Sequence, residues 1–338
     1  MALSRKRALA GGAAAGAFAS IAVLRWPAGA AQFTLKLAND QVATHPMNVS
    51  NERAAKRIRD ASNGQLEIGL FPNSLLGGDT QMLAQLRSGA IDLMQSGNNV
   101  LGNVIPAAAL LSIPFAFTSQ QHYQAAADGP LGAYIGGRAA RIGLRAFPTT
   151  FYGGFFDIQN RLRPIDAPGD LRGLKLRVPP GPIDVGTFKA FDASPTVITL
   201  GEVYTSLQAH LIDGIEVPLP TLQNFKFYEQ VKFCSLTQHS ALAYLVLANA
   251  DTWRRLPKNL RDLLDREFDD AAKDAAKLLA AQEATIQSTL TGEGMVFNRP
   301  ALEPFGRVLR NAGFYRQLRD QSDPQGWDAL EKATGKLT

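Results

Sequence analysis

Apolar positions along this chain come in short alternating bursts separated by helical stretches. Phe33, Leu35 and Leu37 share one side of residues 33–38, and Leu66, Ile68 and Leu70 share one side of the next burst. Both have the period of two expected of strands half in a core. Between them, residues 46–63 read as a helix, with Gly64 in the position that ends it. Asp79 is read as the cap of a second helix carrying Met82, Leu83 and Leu86, which Gly89 closes, and residues 91–95 as a third strand. A β-α-β-α-β order implies right-handed crossovers and a parallel sheet. The strands' carboxyl ends then gather on one edge, at Asn39-Asp40, Asn73-Ser74 and Ser96-Gly97-Asn98-Asn99. A second block of the same kind starts near Asn160, with strands at 174–178, 196–198 and 215–217 and helices after Pro182 and over 202–211. Residues 242–248 form a continuous apolar run, a buried strand able to cross back to the first block. Residues 258–290 carry one long alanine-rich helical pattern, which at about 1.5 Å per residue is long enough to buttress both blocks.

The chain has 338 residues, more than the roughly 250–300 at which single cores usually divide, so two domains are expected. Hydrophobic residues at 46% and charged ones at 19% fit a globular chain. The first 30 residues are different in kind. Arg5, Lys6 and Arg7 precede an uncharged run over 8–24, and Ala28-Gly29-Ala30-Ala31 supplies a small-residue cleavage site. This is the layout of a secretory signal, with removal expected near Ala30 or Ala31. A membrane anchor would need about 20 strongly apolar residues. The sequence Ser4-Arg5-Lys6-Arg7-Ala8-Leu9 also resembles a twin-arginine signal with lysine in place of one arginine, Sec export being the alternative. Residues 1–30 hold four basic residues and no acid, so subtracting them takes the net charge from +5 to +1. The basic balance thus belongs largely to the leader, and no nucleic-acid partner is expected. The single cysteine, Cys234, excludes an internal disulfide and reads as a small buried hydrophobe on a strand.

Arg177 is the most informative single residue. In Gly173-Leu174-Lys175-Leu176-Arg177-Val178-Pro179 it ends an alternating strand that Pro179, Pro180 and Gly181 break. Strand ends beside loops are where α/β proteins place ligands, and a guanidinium offers a planar fork of donors that fits a carboxylate. A structural ion pair is the competing reading from spacing alone. Catalytic signatures are missing from the sequence: no phosphate loop, HExxH, CxxC or G-x-S-x-G is present. His45, His122, His210 and His239 lack metal-ligand spacing and read as capping or surface residues. No metal or cofactor is expected.

An exported two-domain α/β chain without catalytic motifs suggests a periplasmic binding protein. The segments Gly64-Gln65-Leu66, Phe71-Pro72, Leu76-Gly77-Gly78 and Gln85-Leu86-Arg87-Ser88-Gly89-Ala90-Ile91-Asp92 resemble the first domain of TRAP-transporter solute-binding proteins of the DctP type. The resemblance continues through Ile113-Pro114-Phe115-Ala116-Phe117, Asn160, Arg163-Pro164-Ile165, the Arg177 strand, Gly201-Glu202-Val203-Tyr204 and Asp213-Gly214 with Glu216, covering residues 33–290. It implies an α/β, two-domain Venus-flytrap fold with hinge-connected sheets and a long helix spanning both domains. The expected division is residues 31–154 plus 243–282 and residues 155–242 plus 283–338, hinged near 154–157 and 241–245. It also implies that Arg177 binds a ligand carboxylate, that Asp40, Ser96, Gly97, Phe156, Leu200, Glu216, Val217 and His239 are further candidate contacts, and that a monomer delivers its ligand to small and large membrane permease subunits.

Two departures from the family pattern bear on the ligand. Many members carry a second arginine a few residues before Asn160, where this chain has Phe156 and Asp157; sugar-acid binders place asparagine where Val217 stands. Leu200 falls where a sialic-acid-binding relative has an aromatic contact. These changes point to a monocarboxylate with an apolar or aromatic body, with Phe151, Tyr152, Phe155, Phe156 and Leu200 as candidate walls. The alternatives are a C4-dicarboxylate or sugar-acid binder, or a ligand-sensing partner of a membrane signalling receptor; a secreted hydrolase is disfavoured.

Overall fold

The computed structural model describes residues 31–337, so the expected export segment lies outside the described residues. Ten strands occur among them: β1 (Phe33–Ala38), β2 (Leu66–Phe71), β3 (Leu93–Gly97), β4 (Leu144–Ala146), β5 (Phe151–Asn160), β6 (Lys175–Val178), β7 (Ser194–Val197), β8 (Gly214–Pro218), β9 (Phe233–Asn249) and β10 (Val296–Asn298). They form one sheet in the order β2-β1-β3-β9-β5-β8-β6-β7, with β4 and β10 each paired to β9.

Each block is parallel, as its crossover helices require. β1 pairs in parallel with β2 and β3, setting Leu35 opposite Ile68 and Leu37 opposite Leu70. β6 pairs in parallel with β7 and β8. Two long strands join the blocks: β9 runs antiparallel to β3 and β5, and β5 antiparallel to β8. The apolar run at 242–248 lies inside the 17-residue β9 and is buried on both faces, as expected of a strand covered on each side. Cys234 sits on the same strand, fully buried, and burial pushes its thiol well up.

Register shifts interrupt the β5–β9 ladder between Tyr152 and Gly154 and again between Phe156 and Ile158. Gly154 has φ +105°, and a Cβ there would meet Cβ of Pro218 at 2.9 Å. Glycine is required at this point because other residues rarely adopt that conformation. Such bulges bend a strand and re-aim its side chains, and these two lie in the segment expected to hinge.

The helix Lys258–Gly292 is 35 residues long, about 50 Å at the usual rise. Its stripe of buried residues serves three core clusters in turn: Leu264, Phe268 and Ala271 in one, Leu279 in a second, Ile286 and Leu290 in a third. The described residues form one compact unit, and no helix among them is long and apolar enough to cross a membrane.

Some local expectations shift. Asp79 is not the cap of its helix; Gly78 is, in extended conformation, with its N–H donating to Oε1 of Gln81 at 3.2 Å. Asp79 is instead the first helical residue and is buried. The expected helix over 202–211 is shorter, a 3₁₀ turn Leu200–Glu202 followed by Val203–Gln208, because His210 takes the left-handed conformation at φ +57° and ends it. His45 caps the helix Pro46–Ala61 by accepting from the Met47 N–H, and it is buried rather than exposed. His239 neither caps a helix nor lies at the surface.

Candidate functional site

A narrow cleft opens between the two blocks. From the first block Asp40, Gln41, Asp79, Gly97, Asn99 and Val100 line it; from the second, Arg177, Pro179, Leu200, Val217, Pro218 and Thr221; from the crossing strands, Phe156, Leu242 and Tyr244.

Arg177 is held by its strand on both sides, opposite Thr196 of β7 and Ile215 of β8. It is only 3% exposed, although alternation alone would leave it half in solvent. Nε donates to the Ile198 carbonyl at 2.8 Å, which orients the guanidinium plane. The two terminal nitrogens make no hydrogen bond among the described residues, and no carboxylate lies within the 4.0 Å of an ion pair. A guanidinium with free terminal nitrogens offers a planar fork of donors that can match a carboxylate.

Four acids surround that cation at longer range. Burial pulls the Arg177 pKa down, while Glu216, Asp79, Asp40 and Asp184 push it up, in that order. Burial lifts Asp79 to about 6 against the pull of Arg177. Asp40 is raised well above the usual carboxylate range, first by burial and then by the charge of Asp79. Asp184 lies in the first turn of the helix Pro182–Ala190, its Oδ2 packed onto Gly181, where any Cβ would collide with it. An acid in a first turn is favoured by the helix dipole.

Behind the cleft, His239 Nε2 and Glu216 Oε2 are 2.7 Å apart, both nearly fully buried. Burial lowers His239 to about 4 and raises Glu216 well up, so the imidazole is neutral and the pair is a hydrogen bond rather than an ion pair. Thr237 Oγ1, 2.8 Å from Nδ1, fixes the other side of the ring. The loop carrying Asp40 is set by a buried amide network: Asn39 Nδ2 donates to Asn48 Oδ1 at 2.7 Å, and Asn39 Oδ1 accepts the Gln41 N–H at 3.1 Å.

Of the candidate contacts read from the sequence, Arg177, Phe156, Val217, Leu200, Asp40 and Gly97 line the cleft. Ser96 is buried beside it with its hydroxyl unpaired, and Glu216 and His239 pair with each other outside the lining. The proposed aromatic wall breaks up. Phe151 is buried in a core cluster, and Tyr152 and Phe155 line a separate hollow with Asp157, Glu283 and Arg299. The bulge in β5 divides the strand in this way, leaving Phe156 in the cleft. Asp79, Tyr244 and Leu242 also line the cleft without a sequence signal that marks them as contacts. Asp79 looked like a cap, and the two β9 residues were hidden in an apolar run.

Asp157 makes a test of these electrostatics. It is buried, accepts the Gln238 N–H at 3.0 Å, and is pushed up to about 7, chiefly by burial. The folded protein therefore binds this proton more tightly than the unfolded chain, and the corresponding stability is lost as pH rises from the ordinary carboxylate range through about 7. His239 and His45, lowered to about 4 and about 3, act in the opposite direction, but only below the ordinary histidine value. Asp157→Asn should remove about 2 kcal/mol of the stability lost between about pH 5 and 8. Urea unfolding of both proteins across that range checks it; parallel curves would mean that Asp157 ionises normally.

Comparison with known proteins agrees with this geometry. The model of the bacterial extracellular solute-binding proteins, family 7 (DctP), matches residues 38–312. The 2,3-diketo-L-gulonate-binding periplasmic protein YiaO of Escherichia coli is 29% identical over 302 residues, 88% of this chain and 90% of that one. Among solved structures, a TRAP periplasmic solute-binding protein from Xanthobacter autotrophicus with bound β-D-galacturonate superposes with TM-score 0.83 at 27% identity, covering 89% of this chain and 99% of that one. Another, from Bordetella bronchispeptica with density interpreted as pantoate, gives TM-score 0.84 at 28% identity, covering 90% and 99%. This chain belongs to the family 7 (DctP) bacterial extracellular solute-binding proteins, the solute receptors of TRAP transporters.

Proposed function

We propose that this protein captures an organic acid with a single carboxylate and an apolar or aromatic body, and hands it to the small and large permease subunits of a TRAP transporter. The observation that carries the reading is Arg177, a buried guanidinium whose terminal nitrogens have no protein partner and which lines the cleft. Phe156, Leu200, Val217 and Leu242 would take the body of the acid. The pantoate of the Bordetella protein, a branched monocarboxylate, supports that class; the galacturonate of the Xanthobacter protein makes a sugar acid the alternative. Closure would bring residues 31–154 plus 243–282 onto 155–242 plus 283–338, bending at the bulged β5 and the facing part of β9, with the closed form stabilised by ligand. The working protein would be a periplasmic monomer, its leader removed near Ala30 or Ala31.

A thermal-shift screen tests this. A ligand that binds only the folded state raises its melting temperature by mass action, equivalent to about 2.7 kcal/mol at a hundredfold excess over Kd. Branched and aromatic monocarboxylates should shift the melt more than succinate, malate or hexuronates. A larger shift with hexuronates would move the assignment to sugar acids.

A further inference from the structure

We propose that the ligand carries a protonated nitrogen as well as its carboxylate, seated against the carboxyl groups of Asp40 and Asp79. This rests on the organic-acid reading above and narrows it to zwitterions of the amino-acid type. Asp40 and Asp79 line the same cleft as Arg177. Neither carboxyl has a lysine, arginine or histidine nitrogen within 4.0 Å among the described residues. Asp79 is 3% exposed, and no side chain of another described residue donates to its carboxyl. From other side chains Asp40 accepts one long bond, 3.4 Å, from Gln41 Nε2. The cleft therefore holds an unpartnered buried cation and two under-partnered acids facing the same small space.

Charge balance makes the case stronger. Four acids, Glu216, Asp79, Asp40 and Asp184, act on the one guanidinium of Arg177, although burial holds Glu216 and Asp184 well toward their neutral forms. A simple carboxylate would satisfy Arg177 and add a negative charge beside Asp40 and Asp79, which already resist ionising together. A ligand ammonium or amidinium group reverses that: it draws both aspartates into their charged forms and gives each a charge-assisted hydrogen bond. Arg177 lies beyond ion-pair distance of both acids although all three line one cleft, so neither acid occupies its donors. The apolar lining of Phe156, Leu200, Val217 and Leu242 then receives the side chain of the same molecule.

The competing chemistry is a hydroxy acid whose hydroxyl accepts from a protonated Asp79. Titration calorimetry of the mature chain at neutral pH separates the two, using leucine and phenylalanine, their β- and γ-amino isomers, and the matched hydroxy and deaminated acids. At least one amino acid should bind about tenfold or more tightly than both of its matched acids. Asp79→Asn and Asp40→Asn should each bring that ratio toward one. If the hydroxy or deaminated acids bind as tightly as every amino counterpart, or if the ratio survives both substitutions, the inference is overturned. Arg177→Ala provides the separate control. If it leaves amino-acid binding intact while Asp79→Asn abolishes the preference, the carboxylate–arginine reading fails and the amine site stands.

Discussion

Arg177→Ala is expected to reduce ligand affinity by about 30- to several-thousand-fold, corresponding to the 2–5 kcal/mol lost when one partner of a buried charge pair is removed. The size follows from the setting. The guanidinium is almost fully buried, and its orientation is set by the Nε bond to Ile198, so both terminal nitrogens meet a carboxylate without rearrangement. Removing it leaves Asp40 and Asp79 as the ionisable groups lining the cleft, and neither supplies a positive charge to the incoming carboxylate. Arg177→Lys should recover only part of the loss. An ammonium keeps the charge but supplies neither the planar fork nor the Nε donor. Calorimetry with the best ligand of the thermal-shift screen measures both, with circular dichroism and urea melts confirming the fold. A loss under tenfold for the alanine variant would rule out the assigned role.

Phe156→Arg should exchange one ligand class for another. Phe156 lines the cleft, and its ring lies 6.3 Å from that of His239. Replacing it removes apolar contact worth about 25 cal/mol per Å², so an aromatic or branched acid should bind about tenfold more weakly. A second guanidinium beside Arg177 would meet the far carboxylate of succinate, a charge-assisted contact of about 1.5–3 kcal/mol. The affinity ratio of succinate to the monocarboxylate should therefore move by about a hundred- to a thousandfold toward succinate. Parallel titrations of the two acids against both proteins read that ratio directly. If the wild-type protein already prefers succinate, another group supplies the second anchor and the pocket has been misjudged.

The two parallel blocks, the long helix and the strand-end position of Arg177 are legible in the sequence alone. Each depends on local, repeated physics: period-two burial in β1 and β2, helical periodicity from Lys258 onward, and a proline-broken strand end after Val178. Tertiary structure decided which side chains meet across the cleft. β5 could not be read by alternation, because its bulges shift the register and put Phe156 in the cleft while Tyr152, Phe155 and Asp157 line another hollow. Asp79 has the sequence signature of a cap, but Gly78 takes that position in the fold and the helix start lines the same cleft as Arg177. Tyr244 and Leu242 lie in a run apolar on both faces, where no periodicity marks the side that faces a ligand. The pairing of Glu216 with His239 joins residues 23 apart in sequence. Local sequence sets which face of an element is buried; the chain crossings that carry β5 and β9 between the blocks set what that face is buried against.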